Sequence, residues 1–202
     1  AAASDVYKRQ YLGLPSALHS FFEVAFFISA VWMAGIIGKN SQAANQIALN
    51  LASMTYMVAL GVGVAAMIRV GNQRGMMNFI KLREVALSTL FLIIIVDIFF
   101  CLIFLIFNDY LPLLYLDPNN ANNLTDVNEV IQIASKLLII AGVFQLFDGI
   151  QAVVLGALRG MQDVNIPAFI IFLSYGLIGF PTSYFLGFYT SLSVVGIWIG
   201  LM

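Results

Sequence analysis

Charge is what this sequence has least of. Only 9% of its 202 residues are charged, and they nearly cancel, with nine Lys and Arg against ten Asp and Glu. No basic cluster is present, which argues against nucleic acid as a partner. A single cysteine, Cys101, lies inside an apolar run and cannot support a disulfide framework. Nothing resembles a metal cluster or a nucleophile–base motif, so the chain does not read as an enzyme, and no cofactor is expected. The first ten residues lack a positive segment followed by a cleavage site, so no signal peptide is visible. Their polar character does not match the apolar run after them. Residues 1–10 are expected to be non-native sequence or a juxtamembrane linker, and residues 11–202 to form one transmembrane unit. What fills the chain is apolar: 61% of it is hydrophobic, the composition of a polytopic membrane protein.

The apolar runs divide into five full spans and part of a sixth. The expected spans are Leu12–Ile37, Ala43–Val70, Val85–Phe107, Val127–Leu158 and Ile166–Phe188, and a sixth begins near Ser193. A helix needs about 20 apolar residues to cross a bilayer core, and the last run has half that number. It therefore reads as a span cut short. Pro15 suits a first helical turn, and Pro181 should kink the fifth span and free the carbonyl of Leu177. Arg69, Arg74, Lys81 and Arg83 crowd one loop, whereas Asn108–Asn128 has neither Lys nor Arg. The first loop is expected to be cytoplasmic and the second external. Lys136 is expected to snorkel to the outer interface.

Three acids interrupt the runs: Glu23, Asp97 and Asp148. An acid at mid-membrane costs about 2.5–3.5 kcal/mol even on a lenient insertion scale, which makes each a candidate for function. Counted from the expected cytoplasmic ends, they lie roughly 14–18 Å deep at 1.5 Å per residue. Acids at one depth on separate helices can share a cavity and take up H⁺ or hold a cation. Asp148 has Gln145 and Gln151 at three-residue spacing, a slanted polar patch. Gly142, Gly149 and Gly156 recur every seven residues, a stripe for close helix approach, and Gly149 beside the acid allows bending. Gln46 and Asn50 share a polar stripe, and His19 stands one turn before Glu23. Gln46, Asn50, Phe144, Gln145 and Gln151 are the candidate cavity residues, although interhelical hydrogen bonding is the blander role for the amides. Phe21, Phe22 and Phe147 could also hold a cation by cation–π contact.

Four stretches, LGLPSALHSFFEV (Leu12–Val24), AANQIALNLASMTYMVALGVGVAAMIRVGNQRG (Ala43–Gly75), FQLFDGIQAVVLGALRG (Phe144–Gly160) and GLIGFPTSYFLGF (Gly176–Phe188), occur in this order. They resemble the C-terminal half of a multidrug and toxic compound extrusion (MATE) transporter. The resemblance implies an all-α membrane bundle, the C-terminal lobe of a two-lobed protein whose N-terminal lobe is missing here. It implies Na⁺- or H⁺-coupled export of cationic or amphipathic drugs by alternating access, from a bacterial inner (plasma) membrane. Glu23 and Asp148 match the coupling acids of the family's bacterial group and would hold Na⁺ if it is the ion. The family usually shows Gln where His19 stands and His where Asn45 stands, which leaves the ion open between Na⁺ and H⁺. Asp97 matches no family motif, and with His19 it is a possible further coupling residue. The alternative within the superfamily is a flippase for lipid-linked oligosaccharide or polysaccharide, which would favour a cationic cavity.

Overall fold

The structure, a computed structural model, describes residues 2–116 and 124–202. The long helices are α1 (Ala2–Ile37), α2 (Lys39–Gly75), α3 (Phe79–Ile106) and α4 (Leu124–Gly160). The fifth span is built from α5 (Asn165–Ile171), a π-helical stretch (Phe172–Gly179) and α6 (Phe180–Phe188), followed by α7 (Val194–Leu201). A short 3₁₀ turn, Leu111–Leu114, follows α3. Five segments are long and apolar enough to cross a membrane, and α7 supplies eight residues more. This is the all-α bundle of five spans plus part of a sixth that the sequence implies. Among the described residues there is no strand. Residues 117–123, in the expected outer loop, lie outside the described residues.

Several boundaries differ from the sequence reading. The α1–α2 turn is a single residue, Gly38, and α2 begins at Lys39. Pro15 lies well inside α1 because helix continues upstream of it, although the apolar, membrane-length part starts at Gln10. Pro181 does not bring a sharp break. The turns before it widen into the π-helix, whose i→i+5 bonding redistributes the carbonyls that a proline would orphan. Thr182 Oγ1 donates to the Ile178 carbonyl at 2.6 Å, in the turn that leads to Pro181.

The axis of the bundle is the parallel pair α2 and α4. Their first turns are tied by Asn40, which donates to Glu129 at 2.7 Å, and by an exposed Lys39–Asp126 contact at 3.4 Å, an ion pair of little energetic weight. Their last turns meet where Gly71 lies over Gly160. Between these points the backbones touch: a Cβ on Gly156 would strike the Gly63 carbonyl, and one on Gly160 the Met67 carbonyl. Both helices end in the same way. In each, Arg-Gly-Met leads into a residue with left-handed backbone, Met77 (φ 55°) after α2 and Gln162 (φ 59°) after α4. The next amides, of Asn78 and Asp163, bond back to Gln73 and Leu158 at 3.0 Å each, a Schellman-like closure. The two basic turns therefore share one end of the bundle.

Two apolar clusters form the core. The larger lies towards the α1–α2 turn and joins Phe26, Met33, Leu51, Leu138, Phe144 and Trp198 from four helices. The smaller lies towards the basic end and joins Ala59, Ala66, Ile93, Ala152 and Val153 from α2, α3 and α4. Trp198 is fully buried and its indole N–H donates to Asn45 Oδ1 at 2.8 Å. Trp198→Phe would orphan that buried amide oxygen, at a cost of about 1–3 kcal/mol. A lowered thermal unfolding midpoint of the full-length protein in detergent is expected, with no comparable fall for Trp32→Phe, since Trp32 is exposed.

Candidate cation site between the two cores

The gap between the clusters is polar. On α4 the larger cluster ends at Phe144 and the smaller begins at Ala152, and Gln145 and Asp148 fall between them. On α2 the gap holds Thr55 and Tyr56, and on α3 it holds Asp97. On α1, His19 and Glu23 lie on the basic-end side of Phe26, the first α1 residue of the larger cluster. All three intramembrane acids therefore belong to one layer of the bundle. The layer exists because the apolar residues of each helix lapse at matching heights.

Asp148 is buried and close enough to Glu23 and Asp97 to feel both charges. Asp97 is buried as well, and its carboxyl group lies directly on Gly149 of α4. A Cβ at residue 149 would occupy the position of that carboxyl, so Gly149 serves to admit Asp97 next to Asp148, and α4 runs through it as unbroken helix. Asp97 Oδ2 has no hydrogen-bond partner, and neither does either polar atom of the buried Gln145 amide, one turn before Gly149. Buried polar atoms without partners are uncommon and call for a physical account.

Tyr56 donates to Glu23 Oε1 at 3.1 Å, and His19 Nδ1 lies 3.8 Å from Oε2, too far for a hydrogen bond. Arg159, at the end of α4, points Nη2 at the same His19 nitrogen over 3.4 Å. A guanidinium can only donate, so Nδ1 accepts and the ring proton sits on Nε2, which is buried and unpartnered. The series Arg159, His19, Glu23, Tyr56 thus links the basic end of the bundle to the polar layer.

The other sequence candidates separate. Phe144 packs in the larger core, edge-on to Phe27 and Trp198 with ring centroids 6.1 Å apart in each case. Gln46 and Asn50 are exposed on α2, away from the buried residues Ala44, Ile47, Ala48 and Leu51. Gln151 is half-buried and donates to the Tyr175 hydroxyl at 3.1 Å. Phe21 and Phe147 are exposed, and Phe22 packs on Phe172 at 5.0 Å. Lys136 is exposed and Cys101 is buried. The glycine stripe on α4 serves two neighbours: Gly142 and Gly149 meet α3, and Gly156 meets α2. Sequence reasoning missed Tyr56 and Tyr175. Their signal was weak, since each is one aromatic residue in a span rich in them, and only its height relative to the acids distinguishes it. Among the described residues no three His, Cys, Asp or Glu side chains converge as a metal cluster would require.

A family model described as MatE matches residues 15–185. The chain belongs to the MatE family. This MatE chain is 38% identical over 193 residues to the probable multidrug resistance protein NorM of Agrobacterium fabrum, covering 95% of the chain and 40% of that protein. It is 31% identical over 202 residues to the multidrug resistance protein NorM of Aliivibrio fischeri, covering 98% and 42% respectively. It is 34% identical over 195 residues to the multidrug resistance protein MdtK of Proteus mirabilis, covering 95% and 41%. The MatE chain therefore spans about two fifths of the length of these relatives. Its fold is similar to that of the eukaryotic MATE transporter AtDTX14, with a TM-score of 0.82 at 24% identity over 95% of the chain and 41% of that structure. It is also similar to a MOP superfamily transporter from Pyrococcus furiosus, with a TM-score of 0.79 at 18% identity over 94% and 40%. The five membrane-length helices and the family together make this a multi-pass membrane protein.

Proposed function

We propose that this chain is one lobe of a cation-coupled multidrug antiporter, which exports cationic or amphipathic compounds by alternating access from a bacterial inner membrane. The observation that carries the reading is the polar layer: two nearly enclosed aspartates and a glutamate set between two apolar cores. Such a layer is costly in a membrane, and ion coupling gives a reason for its presence. The relatives' names, multidrug resistance proteins of bacteria, support the cargo class and the membrane. The other lobe would come from the part of those relatives that this chain does not cover.

In this scheme Asp148 is the principal cation-binding carboxylate, Glu23 is its partner, and H⁺ or Na⁺ is the coupling ion. Glu23 has the Tyr56 hydroxyl to stabilise it when unloaded, and Asp97 adds negative charge from α3. The candidate cavity residues Gln145 and Gln151 flank Asp148 on α4. The charges of the layer are acidic, which suits cationic cargo better than the pyrophosphate of a lipid-linked oligosaccharide. The basic turns at the common end of α2 and α4 would face the cytoplasm.

The test is transport by the complete protein in vesicles. Imposed Na⁺ and pH gradients are expected to drive uphill movement of ethidium, at least one of them strongly. Gradient-independent scrambling of an anionic lipid-linked sugar, without ethidium movement, would replace this reading by the flippase.

A further inference from the structure

Three buried polar atoms where α3 meets α4 have no partner: Asp97 Oδ2 and both amide atoms of Gln145, Oε1 and Nε2. Asp97 is 2% exposed and Gln145 is 5% exposed, so bulk water does not serve them. The two residues share one strip of the α4 surface. Gly142 lies against Cys101 and Phe104 of α3, and Gly149 lies under the Asp97 carboxyl. Gln145 falls between the two glycines, three residues after one and four before the other. It therefore faces the turn of α3 from Asp97 to Cys101. From Gln145 to Gly149 is one turn of unbroken helix, a rise of about 6 Å at 1.5 Å per residue. The three torsions of a glutamine side chain and one hydrogen bond bridge that rise without any movement of the helices.

We propose that Asp97 and Gln145 form a proton-binding site, in which a protonated Asp97 carboxyl and the Gln145 amide close into a two-bond pair. The acid O–H donates to Gln145 Oε1, and Gln145 Nε2 donates back to the other carboxyl oxygen. One proton and a side-chain rotation thus give all three unpartnered atoms a bond. An ionised carboxylate does not achieve this. It only accepts, so it leaves Oε1 without a donor. The other donors of the layer are spent: Thr55 gives its hydroxyl proton to the Ala52 carbonyl at 2.8 Å, and Tyr56 gives its own to Glu23. An alkali cation would take Oδ2 and Oε1, but it repels the amide hydrogens and leaves Nε2 with no acceptor. A bond from Gln145 to Asp148 along α4 leaves Asp97 Oδ2 as it was. Among the described residues no Lys or Arg forms a salt bridge with Asp97. The titratable groups of the surrounding helices are Asp148 on α4, Cys101 one turn along α3, Tyr56 on α2 and Glu23 on α1. None of them supplies a positive charge in place of the proton. The negative charge that Asp97 lends the layer is present only when this proton is absent. The consequence for transport rests on the antiporter reading: the closed pair removes a charge beside Asp148 and fastens α3 to α4.

The experiment is infrared difference spectroscopy of the complete transporter in nanodiscs, between acid and alkaline pH, with no gradient and no drug. The wild type is expected to show a carboxylic acid C=O band at a hydrogen-bonded position. Asp97→Asn should lose that band, with an intensity of one acid per transporter. Asp148→Asn should keep it. Gln145→Met, which conserves length and removes the amide, should move the band to the higher frequency of an acid without a partner. If Gln145→Met does not fold, the position of the band lost in Asp97→Asn decides, since a free-acid position contradicts the pair. Identical difference spectra for the wild type and Asp97→Asn overturn the proposal. So does a carboxylate band of Asp97 that shifts on adding Na⁺, with no acid band at any pH, which would make the site one for a metal cation. Failure of ion-driven efflux in the wild type would count against the antiporter reading and leave the spectroscopic result standing.

Discussion

In the complete transporter, Asp148→Asn is expected to abolish ion-driven drug efflux while the protein still inserts and folds. The substitution keeps the size and most of the hydrogen-bonding capacity of the side chain and removes the charge that binds the ion. An exporter needs a group whose ion affinity differs between its two conformations. In the polar layer the Asp97 carboxyl lies on Gly149, next to Asp148, so the surroundings of Asp148 would change as α3 and α4 move. The expected loss is at least about a hundredfold in initial rate, equivalent to roughly 2.7 kcal/mol. The measurement is ethidium efflux from vesicles under imposed Na⁺ and pH gradients, with membrane quantity checked by immunoblot. Wild-type rates with the same ion dependence would remove Asp148 from the mechanism and leave Glu23 or Asp97 to carry it.

Gly156→Leu is expected to prevent the lobe from assembling. A Cβ at residue 156 already meets the backbone of Gly63, and backbone cannot move aside as the end of a flexible side chain can. The parallel contact of α2 and α4 would have to open along its length, losing Gly63 over Ala152 and Gly160 over Met67. Overpacking typically costs 1–3 kcal/mol, and a leucine wedged between two backbones should exceed about 3 kcal/mol. Gly61→Ala is the matched control. Gly61 faces open space on the same helix, and an alanine there should be neutral or stabilising by up to about 1 kcal/mol. Fluorescence-detected size-exclusion profiles of the full-length protein would compare the two. A monodisperse, heat-stable Gly156→Leu would contradict the α2–α4 packing.

Gly61 and Gly63 show where sequence reasoning stops. Both sit in the same turns of an apolar helix, and composition treats them alike. Only the position of α4 separates them, because Gly63 lies under Ala152 and Gly61 under nothing. Gly149 gives the same lesson at the site. Its neighbour Asp148 suggested a bending point, but the missing side chain makes room for Asp97, from a helix some fifty positions earlier in the chain. Asp97 matched no motif, and its proximity to Asp148 is a property of how α3 crosses α4. Phe144 and Gln145 stand side by side in sequence, but one fills the larger core and the other is enclosed in the polar layer with both amide atoms unpartnered.

The features legible in the residues alone all trace to the cost of placing backbone and charge in a bilayer. Long apolar runs have to be helices because lipid cannot satisfy an open backbone, so the number of spans and most of their boundaries were readable. Intramembrane acids stand out for the same energetic reason, and so Glu23, Asp97 and Asp148 are legible as candidates in the sequence alone. Which side chains meet was a matter for the packed bundle. Helical spacing sets the face of one helix, but the partner on that face depends on the height and rotation at which helices pack. Those are fixed by close fits such as Gly156 on Gly63, and by apolar clusters that leave one polar layer between them.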